Sequence, residues 1–380
     1  MTFIDEKLSP GVVLTHKLSR INWLLIALIA TLCIVGALAL YSVAGGSFEP
    51  WAFPQIMRIL VGFVILFIVA LIPLRIWFSI VVPFYVAVVG LLVLNAFIGV
   101  SAKGAQRWID FGLINFQPSE VAKIALIMAL ATYYSLLPKT KVSHPVWVAL
   151  PAALVLLPFL LVASQPDLGT GILIMLVGGI VMFLAGVHYL YFAVVILAVI
   201  GVVATVLLSQ GTAWQILQDY QYDRINTFFD PSLDPFGAGY HIIQSKIAIG
   251  SGGLHGRGFL QGTQSQLDFL PEKHTDFVFT TLAEEFGLIW CMILLTFFVI
   301  IVLICSIAAL RCKDRFGSLL VLGISSLVFL TVTTNVAMIT GLIPVVGIPL
   351  PLISYGGSSM MALMFGFGLV QNVIIHAERY

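Results

Sequence analysis

The sequence predicts an all-α protein that crosses a membrane about ten times. Three observations carry this. The 380 residues are 60% hydrophobic and only 9% charged, with a mean hydropathy of +1.09. That is too apolar for a surface facing water, and it suits one facing lipid. The apolar residues also fall into runs near the roughly 20 needed to span a bilayer, and Pro- and Gly-containing polar segments separate most of them.

Taken in order, the expected spans are 22–42, 57–74, 79–99, 119–137, 146–163, 169–187, 190–208, 278–308, 316–340 and 354–376. The first follows a polar stretch, Met1 to Arg20, and is too long for the apolar core of a cleavable signal. The fourth opens just after Pro118, a residue suited to a helix start. Only Val187-His188-Tyr189 separates the sixth from the seventh. A large loop, about 209–276, divides the seventh from the eighth. Its middle, Tyr240 to Ile249, has helix-like apolar spacing with a polar face and reads as a short interfacial helix. Glycines from Gly250 to Gly258 then allow a sharp return. Before the last span, Gly341 to Ser359 carries prolines and glycines that would break a helix. At membrane depth such backbone is tolerated only inside protein or along a cavity, so it reads as a re-entrant element; a plain loop is the rival. No repeat divides the chain, which reads as one membrane domain over 1–380.

Loop cations orient the chain. With both termini in the cytoplasm, ten Lys and Arg lie inside and eight outside. Setting aside the long loop, which the rule exempts, leaves Arg58, Lys103, Arg107 and Lys123 outside. These four run against the rule, and an anionic ligand on the outer face would explain them. The net charge of +1 and the lack of any basic block give no footing for nucleic acid. Cys33, Cys291, Cys305 and Cys312 sit in or beside apolar runs, without metal-ligand spacing.

The chemistry concentrates in a few segments. In Glu272-Lys273-His274-Thr275-Asp276, four ionisable groups fall within five positions against an apolar run. Ionisable groups at a membrane segment usually have a function. Asp276 is a candidate general base. Thr275 or Asp276 as a helix cap is the plainer reading, and His274-x-Asp276 is also compatible with a divalent cation such as Mg or Mn. Glu120 and Lys123 share a helix face, as a packing ion pair, as a phosphate-contacting wall, or both. Asp167, in Gln165-Pro166-Asp167-Leu168-Gly169-Thr170, reads as a turn and helix cap. Arg224 reads either as solvated surface or as a phosphate clamp.

Leu270-Pro271-Glu272-Lys273-His274-Thr275-Asp276-Phe277, Gln117-Pro118-Ser119-Glu120 with Lys123, Gln165 to Thr170, and Pro349-Leu350-Pro351-Leu352-Ile353-Ser354-Tyr355-Gly356-Gly357 together resemble the SEDS family (shape, elongation, division and sporulation) in order and spacing over essentially the whole chain. Tyr41 to Ser47, Pro50-Trp51-Ala52 and the short N-terminus resemble its elongation branch more than its division branch. The resemblance implies a peptidoglycan glycosyltransferase that polymerises lipid II on the outer face of the bacterial cytoplasmic membrane. It works with a class B penicillin-binding protein and other elongation proteins. Asp276 matches the family's catalytic acid, and Glu120 and Lys123 match its buried pair. The expected substrate-binding set is Arg58, Arg107, Glu120, Lys123, Asp167, Arg224, Lys246, Arg257, Lys273, His274 and Ser354. A flippase for the same lipid and a division-type paralogue are the competing readings; a structural anchor is a third class.

Overall fold

The computed structural model describes residues 17–98, 100–102, 105–110, 115–212, 215, 222, 226–227, 229–230, 238–266 and 273–376. Each of the ten expected spans coincides with a helix. These are α1 (Trp23–Val43), α2 (Ala52–Leu71), α3 (Leu74–Ile98), α4 (Pro118–Leu136), α5 (Pro145–Ala163), α6 (Leu168–Leu184), α7 (Tyr189–Ser209), α10 (Val278–Arg311), α11 (Arg315–Ile339) and α12 (Gly357–His376). The helix expected over Tyr240 to Ile249 is α8 (Ala238–Gly252), followed by the short α9 (Thr263–Gln266). Eight of these helices are long and apolar enough to cross a membrane. The other two expected spans have physical reasons for falling short. The α6 helix has only 17 residues. The α4 helix carries Glu120 and Lys123, and it is enclosed by α3, α5, α6, α11 and α12, so its surface need not match lipid.

A small antiparallel sheet, absent from the sequence reading, lies between α3 and α4. Its strands are β1 (Val100–Ala102), β2 (Ala105–Asp110) and β3 (Asn115–Phe116), in the order β1-β2-β3. Non-helical backbone next to a bundle must still pair its amides, and the ladder does this. The α7 helix stands at the periphery, with Ser209 its only buried residue.

At the bundle end away from Asp276, cations close helix C-termini. Lys17 Nζ donates to Leu71 O (3.3 Å), and Arg20 donates to Ile375 O (3.3 Å). Arg315 donates to Leu137 O (2.7 Å) and Ala185 O (3.1 Å). Final carbonyls lack helical partners and carry the negative end of the dipole. Three of the ten cations expected on this side therefore have a structural use.

The segment between α11 and α12 enters the protein as expected. Residues 350–354 are buried. A Cβ on Gly36 of α1 would lie 2.7 Å from Ile353 Cα, and one on Gly169 of α6 would strike Val346 O. Gly36 is seven residues from the end of α1, so the segment reaches about 10 Å along that helix at its rise per residue.

Candidate active site

The turn 273–277 leads into α10 and is fixed through three successive carbonyls. His274 O accepts from Tyr355 N (2.9 Å), Thr275 O from Ser354 Oγ (2.6 Å), and Asp276 O from Asn335 Nδ2 (2.9 Å). The Asn335 amide also donates to Ile348 O (2.7 Å), which ties the turn to the buried segment. Ser354 Oγ accepts from Leu350 N (2.8 Å), and Gln55 of α2 donates to Ser354 O (3.1 Å). With its backbone held this way, the turn leaves the His274, Thr275 and Asp276 side chains half-buried. Asp276 Oδ2 lies 3.4 Å from where a Cβ on Gly347 would stand.

The N-cap position of α10 falls on Phe277, one residue after Asp276, and the Phe277 side chain makes no capping bond.

The segment that bears on Asp276 also walls a second polar site. Glu120 and Lys123 form an ion pair at 2.8 Å, 7% and 5% exposed. They line a small cavity with Thr170, Thr331, Ser359 and Ile348 to Pro351. Its volume is about 20 Å³, room for one or two waters. A Cβ on Gly347 would stand 3.4 Å from Asp276 Oδ2, and the next four residues line the cavity, so one continuous strip of backbone links the acid to the ion pair.

On the α2 side, the Trp51 and His274 rings stack at 4.8 Å and 12°. His274 meets the Tyr355 ring edge-on at 6.0 Å. Arg58 lies over the Tyr355 ring, 4.3 Å from its centroid, and donates from Nη2 to its hydroxyl (3.1 Å). Arg58 Nη1 is buried without a hydrogen-bond partner.

The remaining expected residues divide clearly. Lys273 is buried beside Asp276 in the same turn. Asp167 is buried and caps α6, accepting from Thr170 N (3.5 Å) and Gln117 Nε2 (3.3 Å). Ser354 works on backbone, as described. Lys246 is exposed on α8 and lies against Gly341. Arg257 is exposed and donates to Thr263 Oγ1 (2.7 Å) and Ser251 O (3.4 Å); neither of these contacts reaches the Asp276 turn. Arg224 and the side chain of Arg107 lie outside the described residues. Among the described residues, no group of three or more His, Cys, Asp or Glu comes together to hold a metal ion.

Glu284 and Glu285, unexplained in the sequence, are structural. Helix α10 breaks at Gly287 (φ 78°, ψ −177°). The carbonyls of Glu284 and Glu285 are taken by Arg257 N and Gly258 N (both 2.9 Å), while Leu288 N and Ile289 N turn to Gly253 O and Leu254 O. The Glu284 carboxylate accepts from Thr263 Oγ1 and Gln264 N, and Glu285 accepts from Ser42. The acids thus fasten the 252–264 loop to α10. Sequence reasoning also missed Asn335, Trp51 and Gln55 as site residues. Asn335 had one available signal, an amide inside an apolar span.

The fold and site define a multi-pass helical membrane protein whose acidic turn is held by a re-entrant segment at one face of the bundle. Residues 16–379 match the FtsW, RodA and SpoVE family of cell cycle proteins, and the chain belongs to that family. It is 42% identical over 360 residues to the peptidoglycan glycosyltransferase MrdB of Escherichia coli (strain K12), covering 93% of each chain. Among solved structures it resembles a chain from "Structural coordination of polymerization and crosslinking by a peptidoglycan synthase complex" (TM-score 0.79, 31% identity, 93% of this chain and 97% of that one). It also resembles the rod shape determining protein RodA of Thermus thermophilus (TM-score 0.69, 28% identity, 95% and 98%).

Proposed function

We propose that the chain is a peptidoglycan glycosyltransferase of the elongation type, which polymerises lipid II at the outer face of the cytoplasmic membrane. One observation carries the mechanism: the half-buried carboxylate of Asp276, on a backbone fixed by Asn335, Ser354 and Tyr355, beside a cavity that holds the Glu120–Lys123 pair. In this reading Asp276 takes the proton from the acceptor 4-hydroxyl. That oxygen then bonds to the donor anomeric carbon with inversion, and the anomeric carbon–oxygen bond to pyrophosphate breaks. Prenyl pyrophosphate leaves as a stable anion and needs no general acid. A single carboxylate suffices, where glycosidases use two. What the leaving group requires is fixed positive charge.

Loop cations favour the orientation that places the Asp276 face outside. A class B penicillin-binding protein, a transpeptidase, is the expected partner. The similarity to a chain of a peptidoglycan synthase complex supports that pairing.

The test is polymer formation from lipid II by purified protein in detergent, where transport between leaflets has no meaning. Wild type is expected to make glycan strands. Asp276→Asn is expected to lose about 10²-fold or more of the rate while keeping its thermal midpoint. Normal polymer from the Asn variant removes Asp276 as the base; no polymer from wild type revives the flippase.

A further inference from the structure

Among the described cations of the expected set, the ion pair engages Lys123, loop 252–264 engages Arg257, Lys273 is buried in the Asp276 turn, and Lys246 lies exposed on α8 against Gly341. Arg58 differs. Tyr355 holds its guanidinium by hydroxyl and ring face, and its Nε lies 3.4 Å from where a Cβ on Gly357 would stand, at the first residue of α12. Nη1 is buried and has no acceptor. A buried donor left unpaired is costly, and a guanidinium held in place with free N–H groups is suited to phosphate oxygens.

The surroundings narrow the ligand. Arg58 sits in the second turn of α2, and Met57, Leu60 and Val61 beside it are about half exposed. This face of the helix is apolar and unpacked. An anion bound there has an apolar chain for a neighbour, and in a lipid-linked saccharide the group joined directly to that chain is the pyrophosphate. The peptide carboxylates lie beyond the sugars. On the other side of Tyr355 stands the Trp51–His274 stack, a flat apolar surface of the kind that receives a sugar ring, and His274 is two residues from Asp276.

We infer that Arg58 and Tyr355 form the donor pyrophosphate subsite, with the prenyl chain along α2 and the first sugar against Trp51 and His274. The inference rests on the glycosyltransferase reading and adds which subsite is which. Asp276 then serves the acceptor placed across the donor's anomeric carbon.

The experiment measures binding of farnesyl pyrophosphate to the full chain in detergent. Wild type is expected to bind it, and to bind farnesyl monophosphate and inorganic pyrophosphate more weakly. Arg58→Gln is expected to weaken farnesyl pyrophosphate at least about tenfold, the loss of one charged hydrogen-bonding group. Arg58→Lys, which keeps charge without the fork, should fall between and serves as the folding control. Unchanged binding by Arg58→Gln overturns the subsite, as does no binding by wild type. Competition by phosphatidylglycerol as strong as that by farnesyl pyrophosphate also overturns it, because the site then takes any lipid phosphate. Polymer from Asp276→Asn would instead sink the catalytic reading and leave the binding result standing.

Discussion

Asn335 gives the sharpest test of how the site is held. It is fully buried on α11, and one amide nitrogen serves both Asp276 O (2.9 Å) and Ile348 O (2.7 Å). Its Oδ1 is buried without a partner. Asn335→Leu keeps the approximate volume, deletes both bonds and removes the orphan oxygen. Two buried hydrogen bonds are worth about 1 kcal/mol each, and interhelical bonds in membranes average nearer 0.6. Loss of the orphan oxygen offsets part of this. The expected stability loss is therefore only about 1–2 kcal/mol. The effect on rate is expected to be larger. Without the pin, the Asp276 turn and the Gly347–Ile348 backbone no longer share a fixed register, and a displacement near 1 Å costs about 10²-fold in rate.

The assay reads polymerisation at saturating lipid II and the thermal midpoint on the same preparation. A fall of about 100-fold in kcat with a small change in midpoint is expected, with KM little altered. Asn335→Asp should be less stable than the Leu variant, because it turns an acceptor toward two carbonyl oxygens. Near-wild-type kcat in Asn335→Leu would refute the argument, since the same bonds would have been lost without disturbing Asp276.

Two further outcomes follow from buried charge and from backbone. Removing either member of the Glu120–Lys123 pair leaves an enclosed charge alone, at a cost of about 3–5 kcal/mol; Glu120→Gln with Lys123→Met should recover most of the thermal midpoint but not the polymerisation rate. A double variant as unstable as the two single losses combined would contradict this. Gly287→Ala forces a side chain into backbone reserved for glycine and against Gly256 N and Leu254 O, so it should cost upwards of about 3 kcal/mol. Gly253→Ala, at φ 53° in open space, should cost about 1–2 kcal/mol; equal tolerance of the two in a thermal-shift measurement would show that the helix break is not needed.

The spans were legible because lipid demands the same thing of every one of them, a run of apolar residues of bilayer length. The start of α2 was not. Pro50, Trp51, Pro54 and Gln55 read as loop, yet the helix begins at Ala52. Pro54 falls in its first turn, where a missing N–H breaks no helical bond. The acidic turn was legible as a concentration of charge, and Glu120–Lys123 as a spacing of three. What holds the turn was not, because Asn335, Gln55 and Trp51 are remote from Asp276 in sequence and meet it only through the fold. The break at Gly287 was equally hidden. A lone glycine in an apolar run does not reveal that its neighbours' carbonyls are claimed by a loop some thirty residues earlier.

The proline-rich segment shows why this site can lie at depth without helical backbone. Buried amides must be paired, and Pro349 and Pro351 remove two that would have needed partners. Leu350 N is met by Ser354 Oγ (2.8 Å), Ile353 N and Ser354 N by Leu350 O (3.4 and 3.0 Å), and Tyr355 N by His274 O (2.9 Å). The last of these pairs the segment with the Asp276 turn. The same hydroxyl that satisfies Leu350 N donates onward to Thr275 O (2.6 Å). The segment therefore cannot be satisfied at this depth without also fixing the turn that carries Asp276. Ile348 to Pro351 line the Glu120–Lys123 cavity, so the ion pair, the segment and the acid form one mechanical unit. A substitution at Ser354 is expected to disturb all three together.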